Sequence, residues 1–441
     1  MNQSDNIAAP ASAIGGAVTV IRLSGPQVLD IANRVWHGKT PLSAANVRRM
    51  LLGKAAGDPT LAVYMKAPCS YTGDDVVELQ CHGGAASAGA VMKELLGAGC
   101  RLAEPGEFTF RAFLNGKLDL LQAEAVADLI ASSSETALHM AQKQLSGSLS
   151  KRINGLYERI IELRSECESR LDFPDEELDF DDLVPEKIAD VRNIIRELIS
   201  TAKAGSVIRD GVQLVLAGKP NSGKSSLLNR ILGFDRAIVS AIPGTTRDTV
   251  ESSAVIRGIG VNITDTAGLR ESSDPVEKMG IERSFRSIRA GMVTFWLLDA
   301  SAADLQAEVD AIDRLAPGII TVWNKCDIAG NADLPDTGLP TIKISALSGM
   351  NIEELFDAFE KQVFAGESTV IPETAVNART ADLLDRSLAH LDRAENSFND
   401  GDYEIAAAEL ADASTFVGEI SGLTVSPDIL DKIFHRFCIG K

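Results

Sequence analysis

The chain has 441 residues, of which 45% are apolar and 24% charged, an ordinary globular composition with room for several domains. It contains no run of 18 apolar residues and no basic start followed by an apolar stretch, so we expect neither a membrane span nor a signal peptide. Six cysteines without CxxC or Cys/His ligand spacing indicate a reducing cytoplasm and argue against structural zinc, and a net charge of −19 argues against a stand-alone nucleic-acid binder.

The first 115 residues mix strand and helix patterns, which predicts an α+β domain over residues 1–115. The predicted strands are rich in β-branched residues and end at segments that contain glycine or proline. The predicted strands cover residues 17–23, 61–65 and 76–81, the predicted helices cover 27–36 and 85–97, and a turn is predicted at 104–108.

From residue 116 apolar side chains recur at steps of three and four, as on one face of a long helix. An acidic run at 172–182 interrupts this pattern, helical spacing resumes from Ile188 to Leu198, and the chain returns to helices after residue 372. Because helical segments precede and follow residues 211–366 in the sequence, we predict a discontinuous helical domain over residues 116–210 and 367–441. The long helix is predicted from Leu145, Leu149, Ile153, Leu156, Ile160, Leu163, Cys167 and Leu171.

Residues 211–366 alternate apolar strands with helices, the pattern of a parallel sheet that is covered on both faces. We therefore predict a multidomain protein in which an α/β domain at 211–366 is inserted into the helical-bundle domain.

The sequence GKPNSGKS at 218–225 follows a strand pattern and precedes a helix pattern, which is the context of a phosphate-binding P-loop. Gly218 and Gly223 allow sharp turns that bring backbone N–H groups onto phosphate oxygens. Lys224 suits the β- and γ-phosphates, and the Ser225 hydroxyl suits Mg²⁺. The predicted nucleotide contacts here are Asn221, Ser222, Gly223, Lys224, Ser225 and Ser226.

Two motifs for the γ-phosphate follow in the order that a GTPase needs. GTTRD at 244–248 supplies a threonine that can complete the Mg²⁺ shell. DTAG at 265–268 follows a strand, so that its aspartate can hold Mg²⁺ through water and its glycine N–H can meet the phosphate. The predicted contacts are Thr245, Thr246, Asp265, Thr266, Ala267 and Gly268.

Two further motifs predict that the base is guanine. Asp327 of NKCD can accept from guanine N1–H and the 2-amino group together, and adenine lacks that amine. The Ala346 N–H of the sequence SAL can donate to guanine O6. The five motifs in this order predict a Ras-like P-loop GTPase domain. The predicted base contacts are Asn324, Lys325, Asp327, Ser345, Ala346 and Leu347.

The residues that drive hydrolysis are less evident. Ras-like proteins carry a water-orienting glutamine just after the DxxG glycine, but here that position is Leu269. Arg270, Glu271 and Glu277 are the polar candidates nearby, and no arginine finger can be assigned from the sequence. The side-chain carbonyl of Asn221 suits a monovalent cation that can neutralise charge where an arginine would.

The nucleotide motifs resemble those of the MnmE (TrmE) family of tRNA-modification GTPases. DDVVELQCHGG at 74–84, PGEFTFRAFLNGKLD at 105–119 and the terminal FCIGK at 437–441 extend the resemblance over essentially the whole chain. It implies a cytoplasmic homodimer joined through its N-terminal domains. It also implies a heterotetramer with the flavoprotein MnmG, which carries FAD and uses NADH, and tRNA as substrate.

The resemblance implies a bound 5,10-methylenetetrahydrofolate or 5-formyltetrahydrofolate that supplies one carbon to carbon 5 of the wobble uridine, as part of an aminomethyl or carboxymethylaminomethyl group. Its contacts fall on Arg22, Glu78, Lys117 and Lys441. The role of Cys438 is left open between direct chemistry and packing near the folate.

The resemblance also implies the ion sites. The K⁺ site falls on Asn221, Ser240, Ile242 and Thr245, with Ser240 also a GTP contact, and the Mg²⁺ site falls on Ser225 and Thr246. The water-orienting acid falls on Glu277, one of the three candidates named above. Together these residues predict a K⁺-stimulated GTPase in which Lys224 and Glu277 serve catalysis.

The alternative is a ribosome-assembly GTPase of the Era or EngA kind, an interaction switch with no link to modification. Such proteins carry a basic RNA-binding appendage, but the sequence shows no basic module centred on GxxG, and residues 1–210 have no place in that interpretation. A scaffold with an inactive site conflicts with the intact Lys224, Ser225, Asp265 and Asp327.

Overall fold

The computed structural model of the protein describes residues 5–172, 183–234, 251–265, 292–314, 316–330, 333–364, 372–435 and 437–441. The chain forms two compact units. The first unit comprises Met1–Ala127, Gln144–Ile195 and Asp382–Lys441, and the second comprises Asp128–Lys143 and Arg196–Ala381. The three-domain division predicted above stays a prediction, since the two units group the N-terminal sheet with most of the helices.

The first unit is built on a sheet of seven described strands in the order β3-β4-β5-β6-β2-β1-β7. Neighbouring strands are antiparallel except for the β1–β7 pair. Helices α1 and α2 pack on the sheet through buried residues such as Ile31 and Val91. The strands are β1 Ile7–Pro10, β2 Val18–Ser24, β3 Trp36–Gly38, β4 Leu51–Ala55, β5 Asp58–Met65, β6 Val76–His82 and β7 Arg101–Leu102, and the helices are α1 Val28–Val35 and α2 Ala85–Gly97.

A helix begins inside the segment that was predicted as a turn. Gly106, with φ of 70°, makes the turn, and α3 starts at Glu107. The prediction of a turn over 104–108 was therefore right for its first half only, because Phe108 already lies on the helix. This helix spans Glu107–Leu114, and a 3₁₀ turn at Ala44–Asn46 lies earlier in the chain.

The predicted long helix begins later than its apolar pattern. Gly147, with φ of 84°, separates two helices, so Leu145 belongs to the helix before the break. Leu149, Ile153 and Leu156 are buried along the second one, as predicted. The helices are α4 Leu120–Ala131, α5 Glu135–Leu145, α6 Ser148–Asp172, α7 Val184–Ser200 and α8 Ala202–Asp210.

The second unit contains a sheet whose described strands run in the order β13-β12-β11-β8-β10-β9, parallel throughout except for the β9–β10 hairpin. Apolar clusters cover both of its faces, which confirms the predicted α/β fold. The strands are β8 Val212–Gly218, β9 Glu251–Ile256, β10 Ile259–Asp265, β11 Val293–Asp299, β12 Ile319–Asn324 and β13 Thr341–Lys343, and the helices are α9 Lys224–Phe234, α10 Leu305–Asp310, α11 Cys326–Ala329 and α12 Ile352–Val363.

The chain ends in helices of the first unit, where small side chains allow close packing. Ala406, Ala413 and Gly418 lie on the buried face of α14, and this helix packs closely along α6. Among the described helices, none is long and apolar enough to cross a membrane. The last helices are α13 Ala378–Asn399, α14 Tyr403–Ser421 and α15 Pro427–Phe434.

Candidate functional sites

The phosphate loop, residues 218–223, joins β8 to α9, and α9 begins at Lys224. Gly218 and Gly223 have φ of 138° and 98°. A Cβ at Gly218 would lie 2.3 Å from the Leu297 carbonyl oxygen, and one at Gly223 would lie 2.0 Å from Asn324 Nδ2. Both glycines are therefore needed because neighbouring strand ends crowd the loop, in addition to the conformation expected from the motif.

Lys224 folds back onto the phosphate loop. Its side chain is 5% exposed, and Nζ donates to the carbonyl oxygens of Gly218 at 3.1 Å and Lys219 at 2.7 Å. Asn221, with φ of 62°, lies exposed at the loop tip, and Ser225 and Ser226 are exposed on the first turn of α9. The loop thus holds its ammonium in place beside a helix N-terminus, an arrangement that suits phosphate.

Asn324 joins the phosphate loop to residues 345–347, which are predicted to contact the base and are called the guanine loop below. The side chain is 2% exposed, its Nδ2 donates to Ser222 O at 2.9 Å, and its Oδ1 accepts from Ala346 N at 2.9 Å. One buried amide therefore sets the spacing of the two loops. The Ala346 N–H, which we predicted to meet guanine O6, must be shared with Asn324 or released from it when a base binds.

Lys219 of the phosphate loop is linked to the NKCD motif at 324–327 by a series of ion pairs and hydrogen bonds. The sequence analysis did not predict these contacts. Lys219 Nζ donates to Ala307 O at 2.7 Å and pairs with Glu308 Oε1 at 2.9 Å. Glu308 Oε2 accepts from the Asp299 N–H at 3.2 Å, and Asp299 in turn pairs with Lys325. Only the position of Lys219 inside the P-loop motif could have pointed to this contact.

The Asp299 carboxylate is held in its charged form. Burial alone would raise its pKa, but hydrogen bonds from Lys325 and Ser301 outweigh burial and lower the pKa below its usual value. The Lys325 backbone is left-handed, with φ of 68°, at the start of α11. Asp327 is exposed on that helix, where its carboxylate is open to a base.

The described residues fit Mg²⁺. Asp265 ends β10 in register with Leu216 of β8, at the edge of the sheet where the phosphate loop begins. Its carboxylate and the Ser225 hydroxyl are oxygen donors of the kind that Mg²⁺ prefers. The remaining predicted phosphate, ion and hydrolysis residues lie outside the described residues: Ser240, Ile242, Thr245, Thr246, Thr266, Ala267, Gly268 and Glu277.

In the first unit, the predicted folate residues Arg22 and Glu78 form a cross-strand pair. They are opposite each other on β2 and β6, and Arg22 Nε lies 2.8 Å from Glu78 Oε1. The Arg22 guanidinium lies 5.4 Å from the Tyr71 ring centre and 5.7 Å from that of Phe108. The side chains of the pair are 18% and 19% exposed, so both still reach solvent. The sequence analysis did not single out Tyr71.

The carboxy-terminal segment docks beside this pair. Lys441 O accepts from the Phe108 N–H at 3.1 Å, and Cys438 O accepts from Gly106 N at 3.4 Å. A Cβ on Gly440 would lie 1.9 Å from Pro10 O. Thus Phe108 contacts Arg22 through its ring and Lys441 through its backbone N–H, so the Lys441 backbone lies near the Arg22–Glu78 pair. The fourth predicted folate residue, Lys117, donates from Nζ to Pro68 O at 3.2 Å, and the Cys438 residue is exposed.

A buried charge cluster that the sequence analysis also missed anchors α3, the helix that carries Phe108. Arg111 Nη2 donates to Asp5 Oδ1 at 2.7 Å and to Glu107 Oε1 at 3.1 Å, and Arg101 pairs with both acids. Burial would raise the pKa of Glu107, but hydrogen bonds from Arg101 and the Glu104 N–H lower it overall. The cluster fixes Phe108 relative to the first strand.

Two family models match the chain. The model described as the MnmE helical domain matches residues 120–438, and the one described as the GTP-binding protein TrmE N-terminus matches residues 6–117. The second match includes the sheet that carries Arg22 and Glu78, a region with no place in the ribosome-assembly alternative.

Full-length relatives share the same description. The chain is 42% identical over 447 residues to the tRNA modification GTPase MnmE of Thiobacillus denitrificans, covering 99% of this chain and 98% of that one. It is 38% identical over 455 residues to that of Clostridioides difficile, covering 99% of each, and 40% identical over 434 residues to that of Aquifex aeolicus, covering 96% and 97%. An Aquifex aeolicus Era structure with GDP·AlF₄⁻ is 29% identical over 41% of this chain and 66% of its own, but its TM-score of 0.28 supports no conclusion. From the first sheet to the terminal helices, the chain belongs to the MnmE family of tRNA-modification GTPases.

Proposed function

We propose that this chain is a K⁺-stimulated GTPase that acts as a homodimer with the flavoprotein MnmG to modify carbon 5 of the wobble uridine in tRNA. The observation that carries the proposal is the pairing of Arg22 with Glu78 beside the docked carboxy-terminal Lys441, in a chain that also has a complete phosphate loop. A GTPase that only switched would have no use for such a partly exposed ion pair in a separate unit.

The nucleotide half of the proposal rests on Lys224, Asn324 and Asp327. Lys224 would exchange its loop carbonyls for phosphate oxygens, Asp327 would accept from the guanine edge, and Ser225 with Asp265 would hold Mg²⁺. Asn221, exposed at the tip of the phosphate loop, offers a carbonyl oxygen to K⁺. A cation bound there would place positive charge beside the phosphates, as an arginine does in other GTPases.

The folate half rests on the cross-strand pair. Glu78 can accept from a pterin edge, which resembles that of guanine, while Arg22 holds the carboxylate in place from the adjacent strand. Lys117 and Lys441 would bind the glutamate tail. When bound, tetrahydrofolate would supply the one-carbon unit. MnmG would carry FAD and use NADH.

The K⁺ requirement is tested by GTP turnover in K⁺ and Na⁺ at equal ionic strength. We expect faster turnover in K⁺, since the size of the ion must match the site formed by the side-chain oxygen of Asn221 and the donors predicted at Ser240, Ile242 and Thr245. Equal rates would contradict the K⁺ site. Glu277→Ala is expected to keep nucleotide affinity and lose turnover, and unchanged turnover would move water orientation to another residue.

The modification itself is tested in cells. Deletion of the gene should remove the carbon-5 group from wobble uridine, as measured by mass spectrometry of tRNA, and co-purification with a flavoprotein should identify the partner. In vitro, saturable tetrahydrofolate binding to the full chain should weaken in Glu78→Gln while GDP affinity stays the same. Intact tRNA modification in the deletion strain would refute the proposal.

A further inference from the structure

Arg230 is a residue of α9 that lies outside every motif considered above. Its guanidinium reaches the guanine loop, where Nε donates to Ala346 O at 3.0 Å and Nη2 donates to Leu347 O. Gly349, with φ of 89°, lies against the same guanidinium, and a Cβ there would be 3.5 Å from Nη1. One planar cation therefore spans two successive carbonyls of the guanine loop.

Arg230 and Asn324 hold the guanine loop through different backbone groups. Arg230 holds the Ala346 carbonyl, while Asn324 Oδ1 accepts from the Ala346 N–H at 2.9 Å. A guanidinium is a rigid fork, so two bonds to adjacent carbonyls set the tilt of the backbone as well as its position. The Leu347 side chain is 79% exposed, so polar contacts rather than its apolar packing orient this part of the loop.

We propose that Arg230 is a positioning residue for guanine recognition, which holds the 345–347 backbone where an N–H can meet guanine O6. Asp327 on α11 would accept from guanine N1–H and the 2-amino group, while the loop N–H held by Arg230 would donate to O6. Different residues would therefore position the groups that bind each part of the guanine edge. The inference rests on the guanine-nucleotide binding within the proposed function and is independent of potassium, folate and tRNA chemistry.

The test is a set of dissociation constants for three diphosphates on the full chain. GDP and IDP carry both O6 and N1–H, whereas the diphosphate of 2-aminopurine riboside lacks both, keeps the 2-amino group that faces Asp327 and reports its own binding by fluorescence. Arg230→Ala should weaken GDP and IDP by about three- to tenfold, the worth of one neutral hydrogen bond, and leave the 2-aminopurine ligand unchanged. Arg230→Lys, which keeps the charge but not the fork, should recover part of the loss.

Arg314→Ala is the matched control, because Arg314 Nη2 also donates to a loop carbonyl, that of Thr337, at 3.1 Å. It should leave all three ligands unchanged. An equal loss on all three ligands in Arg230→Ala, or no loss on any, would overturn the inference. If Arg230→Ala does not fold, Arg230→Lys carries the same test with a smaller selective loss. If the unsubstituted chain binds none of the three ligands, guanine-nucleotide binding itself is refuted, and the proposed function falls with it.

Discussion

The nucleotide site and the predicted folate pocket, formed by Arg22, Glu78, Phe108 and Lys441, are assembled in different ways. The described residues that are predicted to bind the nucleotide lie near the carboxyl ends of the parallel strands of one sheet, and Asn324 bridges two of their loops within a single unit. The pocket combines one antiparallel register, one helix and the last residue of the chain, which meet at Phe108. Parallel topology brings strand ends together by itself, whereas the pocket depends on a docked tail. We therefore expect the two sites to fail independently and for different reasons.

The largest expected effect is on the nucleotide site. Lys224→Ala removes the ammonium that the loop holds among its own carbonyls, and GTP turnover should fall at least about a hundredfold because charge on the transferred phosphoryl group loses its partner. Tetrahydrofolate affinity, measured by isothermal titration calorimetry, should not change. A parallel loss of folate affinity would show that the sites are energetically coupled and would undo the comparison.

The next effect should be confined to the pocket. Gly440→Ala places a Cβ 1.9 Å from Pro10 O at a φ of 96°, so the tail must move away and its bonds to Gly106 and Phe108 should weaken. We expect folate affinity to fall about tenfold, the worth of one or two hydrogen bonds, with GTP turnover unchanged.

Gly401→Ala is the control for that substitution. Its φ is 81°, and nothing lies within 4 Å of the added Cβ, so it carries backbone strain without a clash and should leave folate affinity as it was. If Gly440→Ala binds folate normally, the docked tail is not part of the pocket.

The smallest effect concerns the charge cluster under the pocket. The folded pKa of Glu107 is below the ordinary 4.5, so its stabilisation is complete above that pH and is lost as the pH falls through the folded pKa. Glu107 can bind at most one extra proton on unfolding, so it contributes at most about 1.4 kcal/mol per pH unit to the fall in unfolding free energy below about pH 4.5. Glu107→Gln should remove this contribution and make the fall shallower.

The fluorescence of Trp36 can report this unfolding, because it is buried in the first unit. A background with Trp296→Phe and Trp323→Phe removes the signal of the second sheet. Urea titrations between pH 5.5 and pH 3.5 would give the slopes, and Glu104→Gln, at an exposed position of the same turn, is the control. If Glu107→Gln shows the same slope of unfolding free energy against pH as the parent chain, Glu107 does not contribute to the acid sensitivity of the first unit.

Most of the α/β fold was predictable, because the P-loop and NKCD motifs each lie between a strand and a helix and are recognised over a few residues. Lys224 begins α9 and Asp265 ends β10, as the motifs imply. The break before α6 was missed, because apolar spacing continues across Gly147 while the backbone there turns left-handed. The start of α3 was missed for a related reason, since Pro105 and Gly106 make a turn that the helix follows at once.

By itself, the sequence predicted a guanine nucleotide and the alternation of strands and helices over residues 211–366, since both depend on short segments of the chain. Only the tertiary structure decided that Asn324 spaces two loops, that Arg230 and Lys219 brace them, and that Lys441 docks beside Phe108. These contacts join residues far apart in the chain. They follow from register and packing, which no local pattern of side chains encodes.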